Sequence, residues 1–149
     1  MKLTILSFFL MAYFTSFSQT VYTRTISAMP IQWDEKNEKF KRDTIQSLIK
    51  IKNPKIILAY DMIEVIDRDT TRFYLNETPK MEEEDNVTKR WWNDANDDTG
   101  RECYVFLIFD KDDNDYTLRI VYTDDESGIE YYMKPLKVDV IPYSSTKQN

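Results

Sequence analysis

The chain has no histidine, only two glycines and one cysteine among its 149 residues. Without imidazole, Ser-His-Asp and Cys-His catalysis and the zinc sites built on histidine are excluded. Gly100 and Gly128 stand far apart, so neither G-x-G-x-x-G nor G-x-x-x-x-G-K-S/T can be written, and nucleotide chemistry on a phosphate-cradling loop goes with them. Cys103 has no intramolecular partner, so the core alone must hold the fold. It heads the apolar run Cys103-Tyr-Val-Phe-Leu-Ile-Phe109, a setting that predicts a buried, inert thiol. Positive charge is also short. Against 26 Asp and Glu there are 20 Lys and Arg, for a net charge of −6, which argues against nucleic-acid or anionic-membrane partners.

An uncharged apolar run stands near the start of the chain. Lys2 precedes Leu3 to Phe14, and the small residues Ser16 and Ser18 flank Phe17, the pattern of a secretory signal and its cleavage site. Spanning a bilayer takes about 20 apolar residues, more than this run supplies. The sequence therefore predicts a signal peptide over 1–18 cleaved near Ser18-Gln19, a periplasmic or secreted product, and no transmembrane segment in the mature chain. About 130 residues remain, the size of one domain. That domain is expected over 19–143, with 144–149 as a flexible tail because it lacks apolar residues.

Strand signals with short polar breaks fill the remainder, and no segment sustains a helical period. The expected fold is all-β, a single antiparallel sandwich or small barrel of about 7–9 strands. Val21 to Ala28 alternates and is interrupted at Met29-Pro30. Ile31 to Trp33 faces Phe40 across a charged turn. Ile45 to Ile51 reads as a strand, with Lys50, Lys52 and Lys55 alternating with isoleucines. Ile56 to Ile66 reads as one long strand with a bulge or bend at Tyr60-Asp61. A turn over 67–71 leads to a strand from Arg72 to Glu77. Residues 80–92 admit three readings: Lys80 to Asn86 as loop or helical turn, then either a helix continuing to Trp92 or, preferred, a strand from Val87 to Asn93 that turns over 94–100. Glu102 to Phe109, Tyr116 to Tyr122 and Ile129 to Lys134 form a meander in which Leu118, Ile120, Tyr122, Ile129, Tyr131 and Met133 share one face, opposite Arg119, Glu130 and Lys134.

With alternating strands, the turns at 67–71, 94–100 and 124–128 meet at one end and gather carboxylates. Asp67, Asp69, Asp94, Asp98 and Asp124 are the candidate calcium ligands, since calcium takes six to eight oxygens. No EF-hand loop can be aligned, and acidic turn residues also serve solubility, so neither a metal nor any other cofactor is assigned. Glu64 and Glu130, the acids most embedded in apolar runs, are the pair that a carboxylate glycosidase would use. Trp91 and Trp92 are adjacent in a strand and so face opposite sides; an outward tryptophan is a natural anchor for a protein or glycan.

Ala95-x-Asp97-x-x-Gly100-x-x-Cys103, followed by Leu118-x-Ile120-x-Tyr122-x-Asp124 and preceded by tryptophan, resembles the pattern of a set of small secreted β-rich proteins of Gram-negative bacteria. The resemblance implies a compartment and a β-fold and no particular activity. The expectation is thus an acidic, exported, non-enzymatic module that binds a protein or glycan. The alternatives are an inhibitor of a cell-wall-active hydrolase and, third, a carboxylate glycosidase.

Overall fold

The computed structural model describes residues 17–42 and 54–142, which contain ten strands and no helix. They are β1 (Phe17–Asp34), β2 (Lys39–Arg42), β3 (Lys55–Leu58), β4 (Met62–Ile66), β5 (Thr70–Leu75), β6 (Lys80–Glu84), β7 (Val87–Asp97), β8 (Glu102–Asp110), β9 (Asp115–Tyr122) and β10 (Ser127–Pro142). Eight of them pair antiparallel in chain order, β1-β3-β4-β5-β7-β8-β9-β10, and β10 returns to β1 to close a barrel. The remaining two attach to its flanks, β2 to β1 and β6 to β7. The choice between sandwich and barrel is settled by β1 and β10, whose register runs from Phe17↔Pro142 to Gln32↔Ser127 and leaves no gap between the first and last barrel strands.

Alternation dictates what fills the barrel. Val21, Ile56, Leu58, Ile63, Val65, Phe73, Leu75, Trp92, Ala95, Cys103, Val105, Leu118, Ile120, Tyr131 and Met133 form one buried cluster. An eight-stranded barrel is about as wide as such side chains need to fill it. The meander face read from the sequence is this inner face, and Arg119 and Lys134 point away from it. Thr23 and Thr25 continue the inward row of β1, and both are buried. Thr23 Oγ1 donates to the Ile56 carbonyl at 2.9 Å, whereas Thr25 Oγ1 and Trp92 Nε1 have no partner among the described residues.

Several boundaries differ from the sequence reading. Met29-Pro30 does not interrupt β1: the two residues stay in register with β10, opposite Glu130 and Ile129, and the strand continues to Asp34. The bulge expected at Tyr60-Asp61 is a full reversal: Ala59 N–H donates to the Met62 carbonyl at 2.9 Å, making β3 and β4 a hairpin. Lys80 to Glu84 is a strand rather than a loop or helical turn, and β7 runs four residues past Asn93. The cause is a bulge between Trp92 and Ala95. One carboxylate oxygen of Glu77 takes the Asn93 and Asp94 N–H groups at 2.5 and 3.3 Å, so the freed donors are satisfied and the strand resumes. Residues 1–16, the strand read over 45–51 and the tail read over 144–149 lie outside the described residues.

With glycine scarce, left-handed turn positions fall to other residues. Glu38, Asp85, Asn114 and Glu126 all have positive φ, each in a hairpin turn. Gly100, at φ 86, is the glycine of the β7–β8 turn.

Candidate functional site: an aromatic cleft on the outer wall

The run from Cys103 to Phe109 is apolar at inward and outward positions alike. Cys103, Val105 and Leu107 point into the barrel, leaving Tyr104 and Phe106 on the outer wall. An apolar outer face needs a cover, and the β1–β2 hairpin supplies part of one. Trp33 pairs with Phe40 across the hairpin as the sequence suggested, their rings 4.9 Å apart at 64°. The Phe40 ring in turn meets that of Phe106 at 5.9 Å and 69°.

Ion pairs fasten this hairpin. Glu130, only 5% exposed, receives Arg42 at 2.8 Å and Arg119 at 2.7 Å, so β2 is tied to β9 and β10 through one carboxylate. Inside the hairpin Asp34 takes Asn37 at 2.6 Å and Lys41 at 2.7 Å, and these bonds hold its carboxyl down to about 2. Trp33 N–H donates to the Glu126 carbonyl at 3.1 Å, joining the hairpin to the β9–β10 turn.

What the hairpin leaves uncovered is a cleft of about 340 Å³, lined by Trp33, Phe40, Tyr104, Phe106, Val121, Tyr122, Thr123 and Glu126. Its volume falls at the lower end of the range for small-ligand pockets, roughly 300–1,000 Å³. Five of the eight lining side chains are aromatic, and Glu126 brings the only carboxylate. Tyr104, 41% exposed, stands at the rim. Trp91 is the cross-strand neighbour of Phe106, which places it beside the cleft on the outer wall.

Trp91 therefore keeps the outward place expected for a contact residue. Trp92 does not: at 5% exposure it belongs to the barrel interior and cannot meet a partner. The cleft escaped the sequence reading because its walls come from four separated stretches. The usable signal was the two-faced apolarity of 103–109, since a strand wetted on one side alternates.

The turns at 67–69, 98–101 and 123–126 do share one end of the barrel, where the Arg72 N–H reaches Asp98 at 3.4 Å. That end is not an open nest of carboxylates. Arg101 grips Asp124 at 2.7 Å and Asp125 at 3.1 Å, and its guanidinium stacks 3.6 Å from the Tyr122 ring centroid. Hydrogen bonding to Arg101 lowers the Asp124 carboxyl. Asp94 lies back within β7, bonded to Asn76 at 3.0 Å, because the strand outlasts the expected turn. Asp67 and Asp69 stay exposed in the β4–β5 turn. Among the described residues no three acidic or thiol groups converge to hold a cation.

The A-x-D-x-x-G-x-x-C and L-x-I-x-Y-x-D segments meet at this end. Asp97 accepts from Thr99 Oγ1 at 2.6 Å, from the Thr99 and Arg101 N–H groups at 2.9 and 3.0 Å, and from the Tyr122 hydroxyl at 3.2 Å. Burial alone would raise this carboxyl, but these bonds together bring it below its usual value. Burial, with Asp97 beside it, pushes the Tyr122 phenol up to about 12. Burial likewise pushes the Cys103 thiol up to about 12, so the thiol form is favoured at neutral pH, and the side chain is shielded inside the barrel. The motif is thus a turn-and-strand lock.

Glu64 and Glu130 are not brought together as strand neighbours. β1 and β3 separate their strands, and each carboxylate is taken by arginine, Glu64 by Arg72 at 2.8 Å. Among the described residues no helix is long and apolar enough to cross a membrane. Compared with protein-family models, curated proteins and solved structures, the chain matches none.

Proposed function

We propose that the protein is an exported, non-catalytic binding module that takes a group of a partner protein or glycan into the outer aromatic cleft. One observation carries this reading: five aromatic rings line a solvent-accessible cleft that has a single carboxylate. Aromatic rings at such a site supply large contact area at low entropic cost. The export half of the proposal rests on the apolar run behind Lys2. The arginine-bound state of Glu64 and Glu130 and the shielded Cys103 support a role without catalysis.

The test compares the mature chain with Trp33→Ala and Tyr104→Ala on a glycan array and against the exported proteins of the producing cell. Ligands retained by the parent should be lost by both variants while each remains folded by circular dichroism. Retention that ignores both substitutions would place binding elsewhere and sink the cleft.

The inhibitor reading draws on a different feature. All of β6 is exposed and carries Glu82, Glu83 and Glu84 next to Asp85, as a loop entering a basic cleft would require. Against it, Lys89 holds Glu84 at 2.8 Å and reaches Glu82 at 3.7 Å, which removes part of the charge. Lysozyme turnover with and without micromolar protein decides the matter, and undiminished turnover rejects the inhibitor.

A further inference from the structure

Building on the cleft reading, we propose that the cleft receives a quaternary ammonium group, such as the trimethylammonium head of a choline-type ligand. Trp33, Phe40 and Phe106 meet edge to face at 64° and 69°, so their rings stand as walls rather than as a stack. The negative π-faces of such walls attract organic cations, most strongly those that shed water easily. The molecule already uses this property nearby. Arg101 lies 3.6 Å from the Tyr122 ring centroid and Arg119 5.3 Å from that of Phe40. The first guanidinium is neutralised by Asp124 and Asp125, and the second shares Glu130 with Arg42.

Glu126 is different. Among the described residues its carboxylate enters no ion pair, yet it lines the cleft and its backbone carbonyl is held by Trp33. An unpaired carboxylate beside aromatic walls complements a cation. The wall chemistry selects the kind of cation. A primary ammonium would exchange its water for hydrogen-bond acceptors, and Thr123, Glu126 and the tyrosine hydroxyls are the only side-chain acceptors of the lining. A quaternary ammonium has no N–H to satisfy and needs only rings and one negative charge.

The experiment titrates the mature chain with choline chloride at constant ionic strength and follows tryptophan fluorescence. 3,3-Dimethylbutanol, the uncharged isostere, and Nα-acetyl-lysine methylamide are run in parallel. Choline is expected to bind about tenfold more tightly than the alcohol and more tightly than the lysine derivative. Glu126→Gln should weaken choline about fivefold without changing the melting temperature, and Trp33→Leu, which removes an aromatic wall, should abolish choline binding as read by titration calorimetry. Equal binding of alcohol and choline overturns the cation proposal and leaves the cleft as an apolar site. Tighter binding of the lysine derivative overturns it in favour of a protein side chain. If none of the three perturbs the fluorescence, the quaternary ammonium proposal fails, while the binding-module reading is judged separately by the Trp33 and Tyr104 variants.

Discussion

Two threonines separated by one residue in β1 face the same interior and differ in a single respect. Thr23 Oγ1 has the Ile56 carbonyl as acceptor, and Thr25 Oγ1 has no partner among the described residues. A buried hydroxyl without a partner bears its full desolvation penalty, about 1–3 kcal/mol, whereas a paired one contributes about 1 kcal/mol. Valine keeps the shape and removes the hydroxyl. Thr25→Val should raise stability by about 1 kcal/mol and Thr23→Val should lower it by about as much, as read from urea midpoints. Gly128 sets a steric rule at the same scale. A Cβ there would fall on the Ile120 carbonyl oxygen and 3.0 Å from Val121 Cα, so alanine forces β10 away from β9. Gly128→Ala is expected to cost more than about 2 kcal/mol, while Glu38→Gly, which relieves a left-handed glutamate, should be neutral or stabilising by up to about 1 kcal/mol.

At the scale of the element, the β7–β8 turn depends on ionised Asp97. Its carboxyl titrates below the ordinary 3.8 in the folded state, so it contributes stability that is complete above that value and is lost as pH falls through the lowered folded value. Asp97→Asn should lose about 2–3 kcal/mol at neutral pH and show a flatter decline than the parent as pH is taken below about 4. Asp34, Asp124 and Asp125 are lowered as well, so the variant keeps part of the acid sensitivity. A variant whose acid profile overlays the parent's would show that Asp97 is not the group concerned. Elements also show where sequence reading succeeded. β9 and β10 were legible because inner apolar positions alternate with outer ones, and β8 because its unbroken apolar run is bounded by Asp-rich turns. β7 was misjudged because alternation resets at the Trp92–Ala95 bulge, and the group that makes this bulge tolerable, the Glu77 carboxylate, sits in the preceding connection. The β1–β2 hairpin was read correctly as a pair. That it lies on the barrel's outer wall was not legible, since local pattern does not encode which distant strand an arginine such as Arg42 will meet.

The whole molecule is closed by β1 and β10, and its β-rich class follows from alternation alone. Closure does not, because it depends on two strands far apart in sequence pairing along nearly their full length. Native-state hydrogen exchange should therefore find the amides of β9 and of β10 from Ile129 to Met133, which have barrel strands on both sides, among the slowest in the protein. Those of β6, paired on one side and exposed throughout, should exchange orders of magnitude faster. Comparable rates in β6 and β10 would contradict a barrel with β6 as an outer attachment.

The Thr23 hydroxyl also lies 3.3 Å from the sulfur of Met133, across a sequence separation of 110 residues. A chain whose first barrel strand must wait for its last one to be synthesised has no finished fold to offer while it emerges from the ribosome. Loop-closure entropy has to be overcome before that pairing returns anything, so folding belongs to the slow, high-contact-order regime. Until β10 arrives, β1 is an open edge. The same register that closes the finished barrel thus leaves β1 without its longest pairing until the last strand has been made.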